Sequence, residues 1–165
     1  FYNLPEEKAH CEGRISSEDF FKTVVEKLKI DCTFEQFRDA YCNIFADMHA
    51  SFKIVEELKE QDYSLMILSN TNELHFDYLY DRADVLKLFN DRILSHEVNC
   101  QKPDPKIYDI LVERAKCEPH EIFFTDDLKE NVLVAKKHGI KSHQFKSANK
   151  LRKELEKQNI FISEG

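Results

Sequence analysis

No apolar stretch in the 165 residues is long enough to span a bilayer, no secretory leader is recognisable, and no Asn-x-Ser/Thr sequon occurs. These absences predict a chain that neither crosses a membrane nor carries glycans. The five cysteines (Cys11, Cys32, Cys42, Cys100 and Cys117) are odd in number and scattered, with no CxxC pair. That pattern argues against a zinc site and against a disulfide framework, and unpaired thiols fit a reducing compartment, so the cytoplasm is the expected location. No repeat or low-complexity segment is present. A basic face is also missing: the net charge is −7, which argues against nucleic acid as a partner. The locally basic stretch Lys146 to Lys157 reads as a solvated helix face.

The chain has 42% hydrophobic, 12% aromatic and 33% charged residues, enough to bury a core. Its length allows one domain, or one domain with a small insert. The first ~50 residues read as helices. Ser16 or Ser17 can cap a helix with apolar positions Phe20, Phe21, Val24, Val25 and Leu28. Thr33 and Gln36 match a capping box, and Phe37, Ala40, Tyr41, Ile44, Phe45 and Met48 recur at helical spacing.

After Ser51 strand and helix alternate. A helix marked by Ile54, Val55 and Leu58 precedes the apolar strand Tyr63 to Leu68, which stops at Ser69-Asn70-Thr71-Asn72. A helix through Leu74, Tyr78 and Leu79 leads to a short apolar segment at Ile93-Leu94. Pro105 is placed to start a helix through Ile107, Ile110 and Leu111. The strand Ile122 to Thr125 runs into Asp126-Asp127 and a helix stopped by Gly139, and a strand near His143 to Phe145 and a helix Leu151 to Leu155 close the chain. Such alternation predicts an α/β fold with a mostly parallel sheet flanked by helices, preceded by an all-helical stretch.

Three polar signals fall at strand ends or helix starts: Ser69-Asn70, Lys102 and Asp126-Asp127. In open α/β sheets the carboxyl ends of strands are where ligands bind. A hydroxyl with backbone N–H groups makes an anion cradle, a lysine supplies a positive point charge, and adjacent carboxylates suit Mg²⁺. Each has a plainer reading: Ser69 as a helix N-cap, Lys102 as a surface lysine, the aspartates as a capped loop, and Asn131 as a solvent-facing amide. Taken together and in this order they describe a site for a phosphoryl group.

The segments Leu65 to Thr71, Lys102 to Tyr108 and Phe123 to Asp127, continuing to Asn131, resemble the second, third and fourth motifs of the haloacid dehalogenase-like hydrolase superfamily, in the branch with a helical cap. The resemblance implies residues 1–50 as a partial all-helical cap and residues 51–165 as a Rossmann-like hydrolase core lacking its first strand. It also implies a Mg²⁺-dependent phosphatase of a small phosphorylated, sugar phosphate-like metabolite. In it, Ser69 and the Asn70 amide hold the phosphoryl group and Lys102 bridges that group and the nucleophile. Asp127 binds Mg²⁺ directly or through water, Asp126 supports it, and Asn131 hydrogen-bonds around the metal or Lys102. Asp62 and Asn99 stand where relatives usually have glycine, and both residue types tolerate left-handed backbone.

The family's first motif, an apolar strand ending in Asp-x-Asp, has no counterpart before residue 69. Asp31 follows no strand. That motif supplies the nucleophile and the general acid, and its strand is central in the family's sheet, so two interior strand edges are expected to face solvent. The expectation is of a piece lacking its N-terminal segment, inactive by itself, whose complete form works through an aspartyl-phosphate intermediate. The alternatives are a non-catalytic interaction module of the same fold and a haloacid dehalogenase, the latter disfavoured because carbon–halogen displacement needs no metal. A phosphoacceptor signalling domain would place its acid pair before the Ser and Lys, the reverse of the order here. Tyr2, Phe20, Phe45 and His49 are candidate specificity residues. Oligomeric state cannot be read from the sequence.

Overall fold

A computed structural model of the chain describes residues 4–46 and 48–160. Tyr2 lies outside them. The chain opens with four helices: α1 (Pro5–Cys11), α2 (Ser17–Leu28), α3 (Phe34–Cys42) and α4 (His49–Glu60). Local signals set their starts. Ser16 is the N-cap of α2 and accepts from the Asp19 N–H, and Thr33 and Gln36 form both bonds of a capping box on α3. Phe20, Val24, Phe37, Tyr41 and Cys42 close into one apolar cluster, with Leu74 and Tyr78 packed against it. Phe20 is fully enclosed there, so its role is packing.

The helical pattern expected to continue to Met48 breaks at Cys42. Asn43 leaves helical geometry, and Ile44, Phe45 and Met48 are exposed at 49%, 44% and 51%. Periodicity alone cannot tell how much of each position a neighbouring element covers.

Strands and helices then alternate: β1 (Met66–Ser69), α5 (Glu73–Arg82), a 3-10 turn (Asp84–Leu88), β2 (Asp91–Leu94), α6 (Ser95–Val98), α7 (Pro105–Ala115), a second 3-10 turn (Pro119–Glu121), β3 (Phe123–Asp126), α8 (Lys129–Lys137), β4 (Lys141–Gln144) and α9 (Ala148–Lys157). The short α1 and α6 are additions to the expected elements. Pro105 stands in the first turn of α7, and Gly139 follows α8 with φ +78°. Asp62 and Asn99 adopt φ of 60° and 54°, the left-handed geometry expected of them. The basic α9 buries Leu151 and Leu155 and turns most of its lysines outward, but Arg152 reaches Glu57 of α4 at 2.6 Å.

β1 pairs with β2 and β3 with β4, all parallel, and no strand among the described residues joins the two pairs. Parallel strands are normally covered on both faces. Here every residue of β1 is part-exposed, and so are two of the four in β3. A largely apolar cavity of about 520 Å³ reaches both strands, lined among others by Met66, Leu68, Leu111, Phe123, Leu155 and Ile160. The main core lies under β2 and β3 and contains Ile93, Ile107, Tyr108, Leu111 and Phe124. No described helix is long and apolar enough to cross a membrane.

Candidate active site

β1 ends on Ser69 because the apolar run Met66-Ile67-Leu68 stops there, and β3 ends on Asp126 for the same reason after Phe123-Phe124. Helix α5 is capped by Asn72, whose side chain accepts from the His75 N–H at 3.0 Å. Ser69 is therefore not an N-cap. Its hydroxyl has no hydrogen-bond partner among the described residues.

Lys102 follows α6 in the chain and precedes Asp104, the N-cap of α7. Its ammonium sits between the two strand pairs. Nζ donates to the Leu68 carbonyl at 2.7 Å on β1 and to Asp126 Oδ2 at 2.6 Å on β3. The lysine side chain is only 10% exposed, which rules out a surface lysine. The loop carrying it is held by Asn70, which contributes through its side chain as well as its amide: Oδ1 accepts from the Lys102 N–H and Nδ2 donates to the Lys102 carbonyl, both at 2.7 Å.

Asp126 and Asp127 are adjacent but differ in setting. The Asp126 side chain is 6% exposed and its carboxylate is fully engaged, by Lys102 at Oδ2 and by the Asn131 amide and the Leu128 N–H, each 2.9 Å, at Oδ1. Burial pushes its pKa up, yet the bonds and charge of Lys102, with those of Asn131 and Leu128, outweigh this and hold it below the usual carboxylate range. Asp127 is exposed and its carboxylate has no partner among the described residues. The first aspartate is thus an internal anchor, while the second is available to a ligand. Asn131 lies on the first turns of α8 and is 2% exposed, so it does not face solvent. Its Oδ1 is buried without a partner, and its carbonyl accepts from Tyr108 Oη at 2.9 Å.

Of the six residues singled out in the sequence, Asn70, Lys102, Asp126 and Asn131 are joined by hydrogen bonds, and Ser69 and Asp127 are chain neighbours of Asn70 and Asp126. Of the specificity candidates, Phe45 packs edge-on against His75 at 5.1 Å between centroids, and His49 stands at the start of α4 against Phe52. Sequence reasoning missed the polar joint beneath the site: Ser95 Oγ, 0% exposed as a residue, lies 2.9 Å from both the N–H and the carbonyl of Thr71 and 2.6 Å from the Cys11 carbonyl. The spacing Asn72-x-x-His75, an N-cap with its N3 residue, was the one local signal for that region.

The donor set fits a hard divalent cation in part. No group of three His, Cys, Asp or Glu side chains converges among the described residues. Mg²⁺ differs from zinc in needing no such cage, since one or two carboxylates with water and substrate phosphate suffice. The exposed Asp127 oxygens and the orphaned Asn131 Oδ1 are oxygen donors of the right type.

Known proteins resemble the chain over most of its length. The profile of the haloacid dehalogenase-like hydrolases matches residues 3–145. A D-ribitol-5-phosphate phosphatase of Bacteroides thetaiotaomicron is 25% identical over 87% of this chain and 73% of its own length. A phosphorylated carbohydrates phosphatase of Thermotoga maritima is 29% identical over 52% of this chain and 40% of its own. Among solved structures, a haloacid dehalogenase family enzyme of B. thetaiotaomicron, in complex with magnesium and inorganic phosphate, superposes with a TM-score of 0.76 at 28% identity, covering 87% of this chain and 79% of the other. The chain belongs to the haloacid dehalogenase-like hydrolases.

Proposed function

We propose that the complete enzyme is a Mg²⁺-dependent phosphatase of a small phosphorylated polyol or sugar, with residues 51–165 as its hydrolase core and residues 1–50 as part of a helical cap. The observation that carries the reading is the placement of the Lys102 ammonium between the end of β1, beside Ser69, and Asp126 on β3. The Ser69 hydroxyl and the Asn70 backbone amide bind the phosphoryl oxygens, and Lys102 neutralises the charge that develops on them. Asp126 holds the Lys102 ammonium in place, and Asn131 fixes Asp126. Asp127, with its carboxylate uncommitted, holds Mg²⁺, and Asp126 backs it from inside. When bound, the cation neutralises phosphoryl charge and orients the group for in-line attack.

With Asp126 engaged by Lys102 and Asn131 and Asp127 assigned to the cation, the attacking carboxylate comes from elsewhere. The apolar cavity between β1 and β3 supports its source: an additional parallel strand seated there would bring its C-terminal end to Lys102. An aspartate at that end would form the aspartyl-phosphate, and a second carboxylate nearby would activate water. The chain without that strand is then inactive. Relatives named for ribitol phosphate and phosphorylated carbohydrates support the substrate class. Five free cysteines fit a cytoplasmic location, and the charge of −7 fits a small-molecule substrate rather than nucleic acid.

The test is release of inorganic phosphate from a panel of pentitol and sugar phosphates, with Mg²⁺ or with a chelator, by the chain alone and by a form carrying the additional strand. Mg²⁺-dependent turnover by the longer form alone is expected. Absence of turnover on every phosphorylated polyol and sugar by a folded longer form would reject the phosphatase.

A further inference from the structure

Both ends of the Asn70 side-chain amide are committed to a single residue. Oδ1 accepts from the Lys102 N–H and Nδ2 donates to the Lys102 carbonyl, each at 2.7 Å. This reproduces with a side chain the two-bond exchange of facing residues in an antiparallel ladder, because a carboxamide carries a donor and an acceptor side by side in one plane. The partners are 32 residues apart in sequence. Asn70 directly follows Ser69, so the residue bearing the hydroxyl and the residue bearing the ammonium are tied together by one rigid group.

The loop leading to Lys102 is braced from its other side by α1 and the turn after it. Gln101 Nε2 donates to the Lys8 carbonyl at 3.3 Å, Asn99 Nδ2 to the Glu12 carbonyl at 2.9 Å, and Ser95 Oγ to the Cys11 carbonyl at 2.6 Å. None of these bonds touches an atom of Lys102. They set the approach of the loop, whereas the Asn70 amide sets the peptide from which the Lys102 side chain departs.

The geometry points to Asn70 as the positioning residue for Lys102, its side chain holding the lysine backbone so that Nζ arrives between β1 and β3 rather than contacting the phosphoryl group itself. Nζ has two acceptors at 2.6 and 2.7 Å on different strands, so a backbone shift of about 1 Å breaks at least one of them, a displacement of the size that costs on the order of a hundredfold in catalysis. The consequence for ligand binding rests on the phosphatase reading; the clamp itself does not.

The experiment compares the chain with its Asn70→Ala and Asn70→Asp variants by NMR. Three quantities are followed: hydrogen exchange of the Lys102 amide, the ¹⁵N resonance of Lys102 Nζ, and the affinity for inorganic phosphate in the presence of Mg²⁺. In Asn70→Ala the Lys102 amide exchanges on the order of tenfold faster, the Nζ resonance moves, and phosphate affinity falls. Asn70→Asp keeps an acceptor for the Lys102 N–H and nearly the same shape, so it carries the test if the alanine variant does not fold; it loses the bond to the carbonyl and moves Nζ as well. Faster amide exchange with an unmoved Nζ resonance would overturn the proposal and leave Asn70 a loop brace. No phosphate binding by the unsubstituted chain, with Nζ moved in the variants, would support the clamp and count against the phosphoryl site.

Discussion

Lys102 Nζ and Asp126 Oδ2 are 2.6 Å apart with side chains 10% and 6% exposed, and the ammonium also stands 5.7 Å from the centre of the Phe124 ring. An ion pair this enclosed is costly to break from one side, because the remaining charge stays buried. Lys102→Met removes the cation and keeps the stem, leaving Asp126 with only the Asn131 amide and the Leu128 N–H. The expected loss is about 3 kcal/mol, within the range for orphaning a buried charge, read as a shift in urea midpoint without change of slope. Lys102→Met with Asp126→Asn should recover much of that loss, since the orphaned charge is gone. A double variant as unstable as the single one would place the cost elsewhere.

Acid should weaken the fold in two stages. His10 is 2% exposed, its ring stacked on Phe20 at 4.6 Å, with Nε2 3.1 Å from Ser17 Oγ, which in turn donates to Glu73 Oε2 at 2.8 Å. Burial pushes its pKa down to about 4, helped by nearby His75 and His96 and opposed by Glu73. Its unfolded value is 6.5. Below pH 6.5 the unfolded chain takes a proton that the native ring refuses, so stability present above that pH is lost as pH falls toward 4. The share of His10 approaches about 1.4 kcal/mol per pH unit, or about 3 kcal/mol in all, and His75, whose pKa burial also lowers, adds to the same loss. Asp126, whose native pKa is depressed, adds a second loss below its unfolded value of 3.8. Denaturation curves at pH 7.5, 6 and 5 test the first stage. His10→Gln should flatten that slope by close to one proton, and an unchanged slope would exclude His10.

Gly13 tests the joint between α1 and the loop before Lys102. It adopts φ +66°, and a Cβ there would lie 2.1 Å from the His96 carbonyl oxygen. Backbone cannot swing aside as a side chain can, so Gly13→Ala combines a left-handed penalty with a displaced contact. A loss of about 2 kcal/mol or more is expected, together with faster exchange of amides in Ser95 to Gln101. A neutral result would mean that α1 can lift from the core without cost.

What could be read from the sequence divides by range. Ser16 and the Thr33–Gln36 box are interactions within one turn, so spacing alone specifies them. The strand ends at Ser69 and Asp126 were legible because an apolar run meets polar residues abruptly, and those ends are where the candidate site lies. The missing first motif leads one to expect two exposed interior strand edges, and the described strands form two separate pairs. The Asn70 clamp joins residues far apart, and no local pattern marks a side chain that pairs with a distant backbone. The continuation of helical periodicity through Ile44, Phe45 and Met48 misled for a related reason: burial is decided by what lies opposite, and α3 had already ended at Cys42. The partners that bury Asp126 and leave Asp127 exposed were not legible, because Lys102 lies 24 residues away in sequence and no local pattern marks that pairing.

That difference between the aspartates gives the last prediction. Asp127 is exposed and its carboxylate makes no bond among the described residues, so nothing in the fold depends on its charge. Asp127→Asn should therefore leave stability within about 0.5 kcal/mol of the original chain, as for surface positions without a special role. Asp126→Asn, by contrast, removes the charge that Lys102 faces and should destabilise by about 2 kcal/mol. Mg²⁺ affinity, measured by calorimetry on the chain with inorganic phosphate present, should fall steeply in Asp127→Asn because a hard cation held by so few protein oxygens loses its one uncommitted carboxylate. Unaltered Mg²⁺ affinity in Asp127→Asn would remove this residue from the metal site, and with it the division of labour by which the buried aspartate aims the lysine and the exposed one holds the cation.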